Sequence, residues 1–354
     1  MSDRRPKAVV LLSGGLDSTL AARLLQEQGV EVHGVHFSTG FCVSDHKRAV
    51  APPEADPETL RNEALRAGAD LAVPVEMVDL SEEYLEVVFN PKHGYGSNVN
   101  PCIDCRIMML RKAKAYADSI GADFVATGEV VGQRPMSQRR DTMRLIEKES
   151  GLEGRLVRPL SARGLPPTRP EEAGQLDRSR LLKLHGRGRR PQMDLMAEKG
   201  LAGYPLPAGG CCFLTDESYA ARFKDKMAHR QGRPMGWEDV TLLKVGRHFR
   251  LSPALKLILG RNEGECEFLG RFAEGRVLFE APDVMGPAAL TDESLPGPDQ
   301  ERLCAAIVAR YTDGRHDETV AVEARGGGRE PRRYDAAPLW DEAVLGPLRI
   351  LKQE

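Results

Sequence analysis

The stretch Leu11-Leu-Ser-Gly-Gly-Leu-Asp-Ser18 sets two adjacent glycines and two hydroxyls between an apolar run and a helix-forming run. Backbone N–H groups with no Cβ in the way can close on phosphate oxygens, and the amino end of a following helix adds a favourable dipole. Ser13 and Ser18 are candidate donors to those oxygens. A loop that transfers a terminal phosphoryl group carries a lysine at the β/γ junction. Here the loop ends in Asp17-Ser18 and has no lysine. A carboxylate beside phosphates is repulsive unless a cation lies between them, so Asp17 is expected to help hold Mg2+ on a pyrophosphate. That arrangement suits ATP split into pyrophosphate and an AMP passed to a substrate.

The elements around this loop must position it. Residues 7–12 read as a buried parallel strand, 19–28 as a helix and 30–37 as a second strand, with the loop at the carboxyl end of the first strand. Pro52-Pro53 and Asp56-Pro57 mark a loop, 58–67 a helix and 71–78 a strand. Residues 90–105, rich in Gly, Asn and Pro, read as a long loop before an amphipathic helix over 106–120 and a short strand over 123–128. This alternation predicts a doubly wound, parallel-sheet α/β domain over residues 1–160.

Residues 161–236 read as a basic linker with helical stretches near 177–184 and 192–199, carrying the neighbours Cys211-Cys212. Prolines 159, 166, 167 and 170 interrupt its start, and from 134 to 190 there are 15 Lys or Arg against 7 Asp or Glu. Beyond Gly236 the apolar runs 240–245, 256–259, 276–280 and 319–323 read as strands, with a helix over 300–311. Residues 237–354 are therefore expected to form a separate α+β module.

The formal net charge of -2 says nothing about a partner, so any basic surface must be local. No apolar run approaches the roughly 20 residues a membrane helix needs. The opening Met1 to Pro6 lacks an apolar leader core, which predicts a cytoplasmic protein with few disulfides. Against that background seven cysteines are informative. Cys102-x-x-Cys105 and Cys211-Cys212 are clustered, whereas Cys42, Cys266 and Cys304 stand alone and receive no role.

The loop resembles the PP-loop ATP pyrophosphatases, Ser-Gly-Gly-x-Asp-Ser, at every fixed position, through Ser13, Gly14, Gly15, Asp17 and Ser18. The resemblance implies that adenine meets the end of the second strand, at His36 and Phe37, and that Thr127 and Gly128 close on the phosphates. For His36 and Phe37 a place in the strand-end core is the competing reading. Gln133, Arg134 and Gln138 are expected to face nucleotide or RNA, or to form an ordinary polar loop.

Asn100-Pro101-Cys102-Ile-Asp-Cys105 and Pro207-Ala-Gly-Gly-Cys211-Cys212-Phe-Leu-Thr-Asp216 resemble the cysteine segments of tRNA thiolation enzymes. Thiolation needs a sulfur handed to an adenylated carbon, from a persulfide or from a cluster held by three cysteines with one iron open. The expected set is Cys102, Cys105 and Cys211 on a [4Fe–4S] cluster, with Cys212 as the competing third ligand. A structural zinc site and an unliganded redox or catalytic pair remain alternatives.

RNA contact would come from clustered cations. The run Lys183-Leu-His-Gly-Arg-Gly-Arg-Arg190 supplies Arg187, Arg189 and Arg190, and reads equally as a solvated basic loop. Residues 239–250 and 256–265 are similar to the NFACT-R RNA-binding domain, which implies RNA-facing roles for Lys244, Arg247, His248, Arg250, Arg261 and Asn262.

As a whole the chain looks like a compact 4-thiouridine-synthetase-like enzyme. It has no room before Lys7 for a THUMP region and shows no rhodanese-like cysteine loop near its end. The resemblance implies an ATP- and Mg2+-dependent tRNA sulfurtransferase with sulfide or a persulfide carrier as donor, most readily making 4-thiouridine. Alternatives are 2-thiouridine synthesis, a PP-loop ligase acting on a small molecule with structural zinc, and a non-enzymatic RNA-binding protein that keeps a nucleotide site.

Overall fold

The computed structural model describes residues 4–51, 54–56, 60–204, 212–230 and 232–351. Its contacts divide the chain into one unit of Met1–Val43 with Asp56–Cys211 and another of Ser44–Ala55 with Cys212–Glu354.

The first unit is built on five parallel strands. In chain order it holds β1 (Lys7–Leu11), α1 (Leu16–Gln26), β2 (Glu31–Ser38) and the start of α2 (Val43–Ala49). It continues with α3 (Glu63–Leu71), β3 (Val75–Asp79), α4 (Ser81–Phe89), α5 (Cys102–Ser119), β4 (Phe124–Ala126), α6 (Arg140–Glu149) and β5 (Leu156–Val157). Two short helices close it, α7 (Arg169–Glu172) and α8 (Arg190–Glu198). The sheet order is β3-β2-β1-β4-β5, with Lys7 to Leu11 in register with Glu31 to Val35.

Alternation along β1 feeds both faces, as the period of two in a strand requires. Ala8 and Val10 pack with Ala22 and Leu25 of α1 and Ala67 of α3. Val9 and Leu11 pack with Ile107, Leu110 and Ala113 of α5 and Ile146 of α6. The doubly wound fold is as the residue pattern predicts.

Boundaries moved where capping chemistry decided them. Asn62 accepts from the amides of Ala64 (3.0 Å) and Leu65 (3.1 Å) and so starts α3 at Glu63. Ala72, at φ 50°, ends that helix and delays the strand expected from residue 71 until Val75. The loop expected through residue 105 stops earlier: Pro101 caps α5, and the Cys105 amide donates to its carbonyl at 2.8 Å. Both cysteines therefore sit in a helical first turn.

The expected linker over 161–236 is split at Cys212 between the two units. Its proline-rich start cannot extend a helix or strand, yet it packs, with Leu160 and Ser161 fully buried. Of the expected stretch 177–184 only a turn at Arg178–Arg180 is helical.

The second unit carries an antiparallel sheet of order β11-β10-β8-β9-β7-β6. Its elements are α9 (Glu217–His229), α10 (Trp237–Leu242), β6 (Arg247–Ser252), β7 (Leu255–Leu259), α11 (Glu263–Gly270), β8 (Val277–Glu280) and β9 (Ala289–Asp292). They are followed by α12 (Pro298–Arg310), β10 (Val320–Gly326), β11 (Arg329–Ala336) and α13 (Glu342–Leu348). Helix α12 covers one face through Cys304, Ile307 and Val308 against Phe249, Phe279 and Val322. Ile258 and Leu290 on the other face meet Leu242, Phe268 and Leu269.

The strand expected over 240–245 is a correction. Residues 237–242 are helical, closed at the start by the Gly236 amide donating to Asp239 Oδ2 at 2.8 Å. A short apolar run reads alike as buried strand or buried helix, and the acidic first turn decided it. The excursion Ser44–Ala55, which leaves after β2, belongs to this unit: His46 meets the rings of Phe213 (5.1 Å) and Phe268 (5.7 Å) edge-on. Among the described residues no helix is long and apolar enough to cross a membrane.

Candidate nucleotide and sulfur site

Strand order reverses at β1, which has β2 on one side and β4 on the other. In an open α/β sheet the carboxyl ends of such strands leave a crevice where ligands bind. Loop 12–15 leaves β1 there, and Thr127 and Gly128 leave β4 beside it. Gly14 has φ +75°, and a Cβ on it would lie 2.1 Å from the Glu63 carbonyl oxygen at the start of α3. A Cβ on Gly128 would lie 2.5 Å from the Asp17 carbonyl. The glycines are required because two backbones close on the same loop.

Ser18 Oγ donates to the Gly15 carbonyl (3.0 Å) and lies 3.1 Å from Ser13 Oγ. Its proton is thereby committed to shaping the loop, and Ser18 is buried. Ser13 is exposed and keeps its hydroxyl at the loop surface. His36 Nδ1 lies 3.1 Å from the Leu12 carbonyl, so its ring braces the base of the loop. Phe37 is half-buried on the α5 side of the sheet, in the strand-end core.

Asp17 is held by one oxygen only. Its Oδ2 accepts from Gln133 Nε2 at 2.6 Å, whereas Oδ1 is buried with no hydrogen-bond partner. A buried carboxylate oxygen without a partner is costly. Its chemistry fits a hard divalent cation, which takes oxygen ligands. The glycine cradle of Gly14 and Gly15 fits the phosphates that cation would carry. Gln133 is thus placed at the nucleotide loop, whereas Gln138 is buried and accepts from the Arg134 amide within its own turn (3.0 Å).

Behind this crevice lies a buried charge network that no motif in the sequence announces. Glu129 takes Arg158 (3.1 Å), Arg106 (3.2 Å) and the Thr127 hydroxyl (3.2 Å). Burial opposes its charge, but the two guanidiniums and the hydrogen bonds outweigh it and hold the carboxyl below the usual range. Arg106 directly follows Cys105, and Glu129 directly follows Gly128. The cysteine helix is therefore tied to the turn expected to close on the phosphates. The one available signal was adjacency in the sequence to motif residues.

Cys102 and Cys105 are both half-buried in the first turn of α5, where a helix amino end favours negative charge. Between them, Asp104 accepts from the His93 amide (2.9 Å) and ring (2.7 Å), pinning loop 90–101 to the helix. Cys211 lies outside the described residues. Cys212 is half-buried in the second unit. Among the described residues no group of three or more His, Cys, Asp or Glu is arranged to hold a metal ion.

The cations expected at RNA separate into two groups. Arg187 and Arg190 are exposed and Arg189 half-buried on the run that leads into α8. In the second unit most are consumed internally. Lys244 is buried beside Trp237, at 4.6 Å from its ring, and burial pushes its pKa to about 8. His248 is buried against the Val245 carbonyl (2.8 Å). Arg250 is paired with Asp225 (2.6 Å) and Glu293 (2.6 Å). Arg261 is exposed but clamped on Glu265, and Asn262 Oδ1 caps α11. Arg247 is exposed, over the Tyr311 ring at 5.1 Å.

Fold and loop define the class: an α/β domain of PP-loop fold and an antiparallel-sheet module. Residues 6–149 match the tRNA methyl transferase HUP domain, and residues 246–346 match the NFACT protein RNA binding domain. The chain is similar to the tRNA-specific 2-thiouridylase MnmA of Syntrophotalea carbinolica, 36% identical over 134 residues and 36% of each chain. It is similar to the enzyme of that name from Flavobacterium johnsoniae, 40% identical over 128 residues, 34% of this chain and 31% of that one. A longer match, to the MnmA of Roseiflexus sp. (strain RS-1), is 29% identical over 254 residues, 68% of this chain and 66% of that one. The chain thus spans about a third of the length of the first two relatives. Among solved structures, a 4-thiouridine synthetase–RNA complex with bound ATP is 25% identical at a TM-score of 0.33, over 55% of this chain and 50% of that one.

Proposed function

We propose that this protein is an ATP-dependent tRNA thiolation enzyme that activates a uridine carbonyl by adenylation. The observation that carries the reading is Asp17, which offers one unpartnered oxygen at the mouth of a glycine cradle. In this reading Gly14 and Gly15 present backbone N–H groups to the pyrophosphate, and Asp17 holds Mg2+ on it. The magnesium ion supplies charge neutralisation for the leaving pyrophosphate. The carbonyl oxygen attacks the α-phosphorus, pyrophosphate leaves, and the base carbon then bears AMP as leaving group.

The Cys102–Cys105 pair supports a thiol route for sulfur. The outer sulfur of a cysteine persulfide, loaded by a persulfide carrier, attacks the activated carbon and AMP departs. A second thiol then cuts the resulting disulfide, frees the thiocarbonyl and leaves a cysteine disulfide for an external thiol to reduce. Cys211 and Cys212 remain candidates for the partner thiol. The alternative of a cluster on Cys102, Cys105 and Cys211 depends on a residue outside the described ones.

The relatives named above are 2-thiouridylases, and their similarity favours the 2-carbonyl over the 4-carbonyl that the resemblance implied. The tRNA is the substrate that suits a module matching an RNA-binding domain. Mass analysis of tRNA nucleosides from a deletion strain tests this directly. Loss of a 2-thiouridine derivative, restored by the wild-type gene and not by Asp17→Ala, is the expected result. An unchanged nucleoside profile would remove the proposal.

A further inference from the structure

Asp17 is not positioned by the nucleotide loop alone. An ionised carboxylate only accepts hydrogen bonds, so the Gln133 group 2.6 Å from Asp17 Oδ2 must be its NH2. That choice turns Gln133 Oε1 the other way, where it accepts from Gln192 Nε2 at 3.2 Å. Gln192 is 1% exposed, and its own Oε1 has no hydrogen-bond partner. Two amides in series thus run inward from Asp17, with an unsatisfied oxygen at each end of the chain.

Both amides are attached to the same basic run. Gln192 lies in the first turn of α8, two residues after Arg190, and α8 packs on α1 through Met196 against Leu20 and Leu24. In the middle of the run the Gly186 amide donates to the Val131 carbonyl (2.8 Å), two residues before Gln133. Ser161 Oγ fastens the same place, accepting from the Val131 amide (3.0 Å) and donating to the Leu184 carbonyl (2.7 Å). Arg187 and Arg190, between Gly186 and Gln192, are exposed, as are Lys183 and His185 on either side of Leu184. Arg187 and Arg190 therefore lie on the segment that joins the Gln133 turn to Gln192.

We propose that Gln133 and Gln192 are positioning residues that leave one Asp17 oxygen open to the phosphate-bound cation, and that RNA phosphate on the 183–190 run strengthens this hold. Binding of Mg·ATP is then coupled to binding of tRNA. The inference rests on the reading of loop 13–18 as the ATP site. It adds a regulatory link, because ATP is held more tightly when the acceptor is docked.

The test is calorimetric titration of the full chain with Mg·ATP, with and without unfractionated tRNA. Wild type is expected to bind Mg·ATP about tenfold more tightly with tRNA present, a coupling of ordinary size. Gln133→Met and Gln192→Met should each bring that ratio close to one, while filter-binding affinity for tRNA stays at the wild-type level. The double variant should cost no more coupling than either single one, as two links of one chain require. A wild-type ratio of one, or variants that keep the full ratio, would overturn the relay even if tRNA is thiolated in the cell. No binding of Mg·ATP at all would overturn both the relay and the adenylation reading. Coupling that persists in a strain with unaltered nucleosides would leave the relay standing and remove thiolation alone.

Discussion

The crevice of the first unit leaves a carboxylate oxygen open, whereas the acids in the charged interior of the second unit are paired. At the crevice Asp17 Oδ1 and Gln192 Oε1 are buried without hydrogen-bond partners, at either end of a relay. In the second unit the charges close on one another. Lys226 lies 2.6 Å from both Asp292 and Asp239, and Arg250 spans Asp225 and Glu293. Open valences at a strand-end crevice point to a ligand, whereas paired charges point to a scaffold. A count of cations along the chain cannot separate the two. The run 183–190 and the stretch 244–261 both read as basic, but only the former leaves most of its charge in water.

The largest effect is expected from a buried ion-pair network in the first unit, behind the crevice. Glu129→Gln leaves Arg158 and Arg106 without their shared carboxylate, and should cost about 3–5 kcal/mol in chemical denaturation. The pH dependence has a definite sign. The folded carboxyl is lowered, so its stabilisation is present above the ordinary carboxylate pKa and lost as pH falls through the lowered folded value. The variant should lack that acid-side loss.

Gly128→Ala tests the crevice side. Its Cβ would lie 2.5 Å from the Asp17 carbonyl carbon and oxygen, so the backbone must part. A stability loss of about 1–3 kcal/mol is expected from such overpacking. Mg·ATP affinity should fall further than that loss alone predicts, as read by calorimetry.

Lys256 is one of several second-unit side chains with a buried polar atom that lacks a hydrogen-bond partner, beside Arg222, Thr241, His248, Arg310 and Arg332. It is fully buried, its Nζ has no hydrogen-bond partner, and Asp225 Oδ2 is 3.8 Å away. Burial pushes its pKa down to about 8. Lys256→Met should therefore stabilise the protein near neutral pH, by about 1–2 kcal/mol. Because the unfolded chain binds the proton more tightly, wild type gains on the variant as pH rises from about 8 toward the ordinary lysine value, and the advantage shrinks.

The smallest effect concerns RNA. Arg187→Ala with Arg190→Ala should lower the salt dependence of tRNA binding by about one unit of slope per lost phosphate contact. Lys244→Met should leave that slope unchanged, because its ammonium is buried beside Trp237. Equal losses in the two variants would erase the distinction between open and closed charge.

Much of the first unit was legible because its signals are local. Apolar runs of five or so residues, glycines at a strand end and an acid in the next turn are read directly from order along the chain. Cys102 and Cys105 announced themselves by spacing, although their place in a helix depended on Pro101 acting as cap. Less was legible in the second unit. Strands β6 and β11 and helix α9 carry half-buried charges such as Arg250, Arg332, Arg222 and Asp225, while β9 and α11 bury Asp292 and Glu265, and both obscure a period of two or of 3.6. The run 240–245 shows the limit, since an apolar stretch of that length is compatible with either element.

Within the sequence alone, then, lay the PP-loop signature, the alternation that makes a doubly wound sheet, and the types of residue offered for catalysis. Tertiary structure alone decided which of those residues are still available. Gln192, 59 residues beyond Gln133, enters the Asp17 relay only because α8 folds back on α1. Arg250 is paired only because Asp225 and Glu293, 25 and 43 residues away, close on it. The physical reason is the same in each case. Spacing along a chain governs local conformation, whereas desolvation and the pairing of charges depend on which distant segments converge.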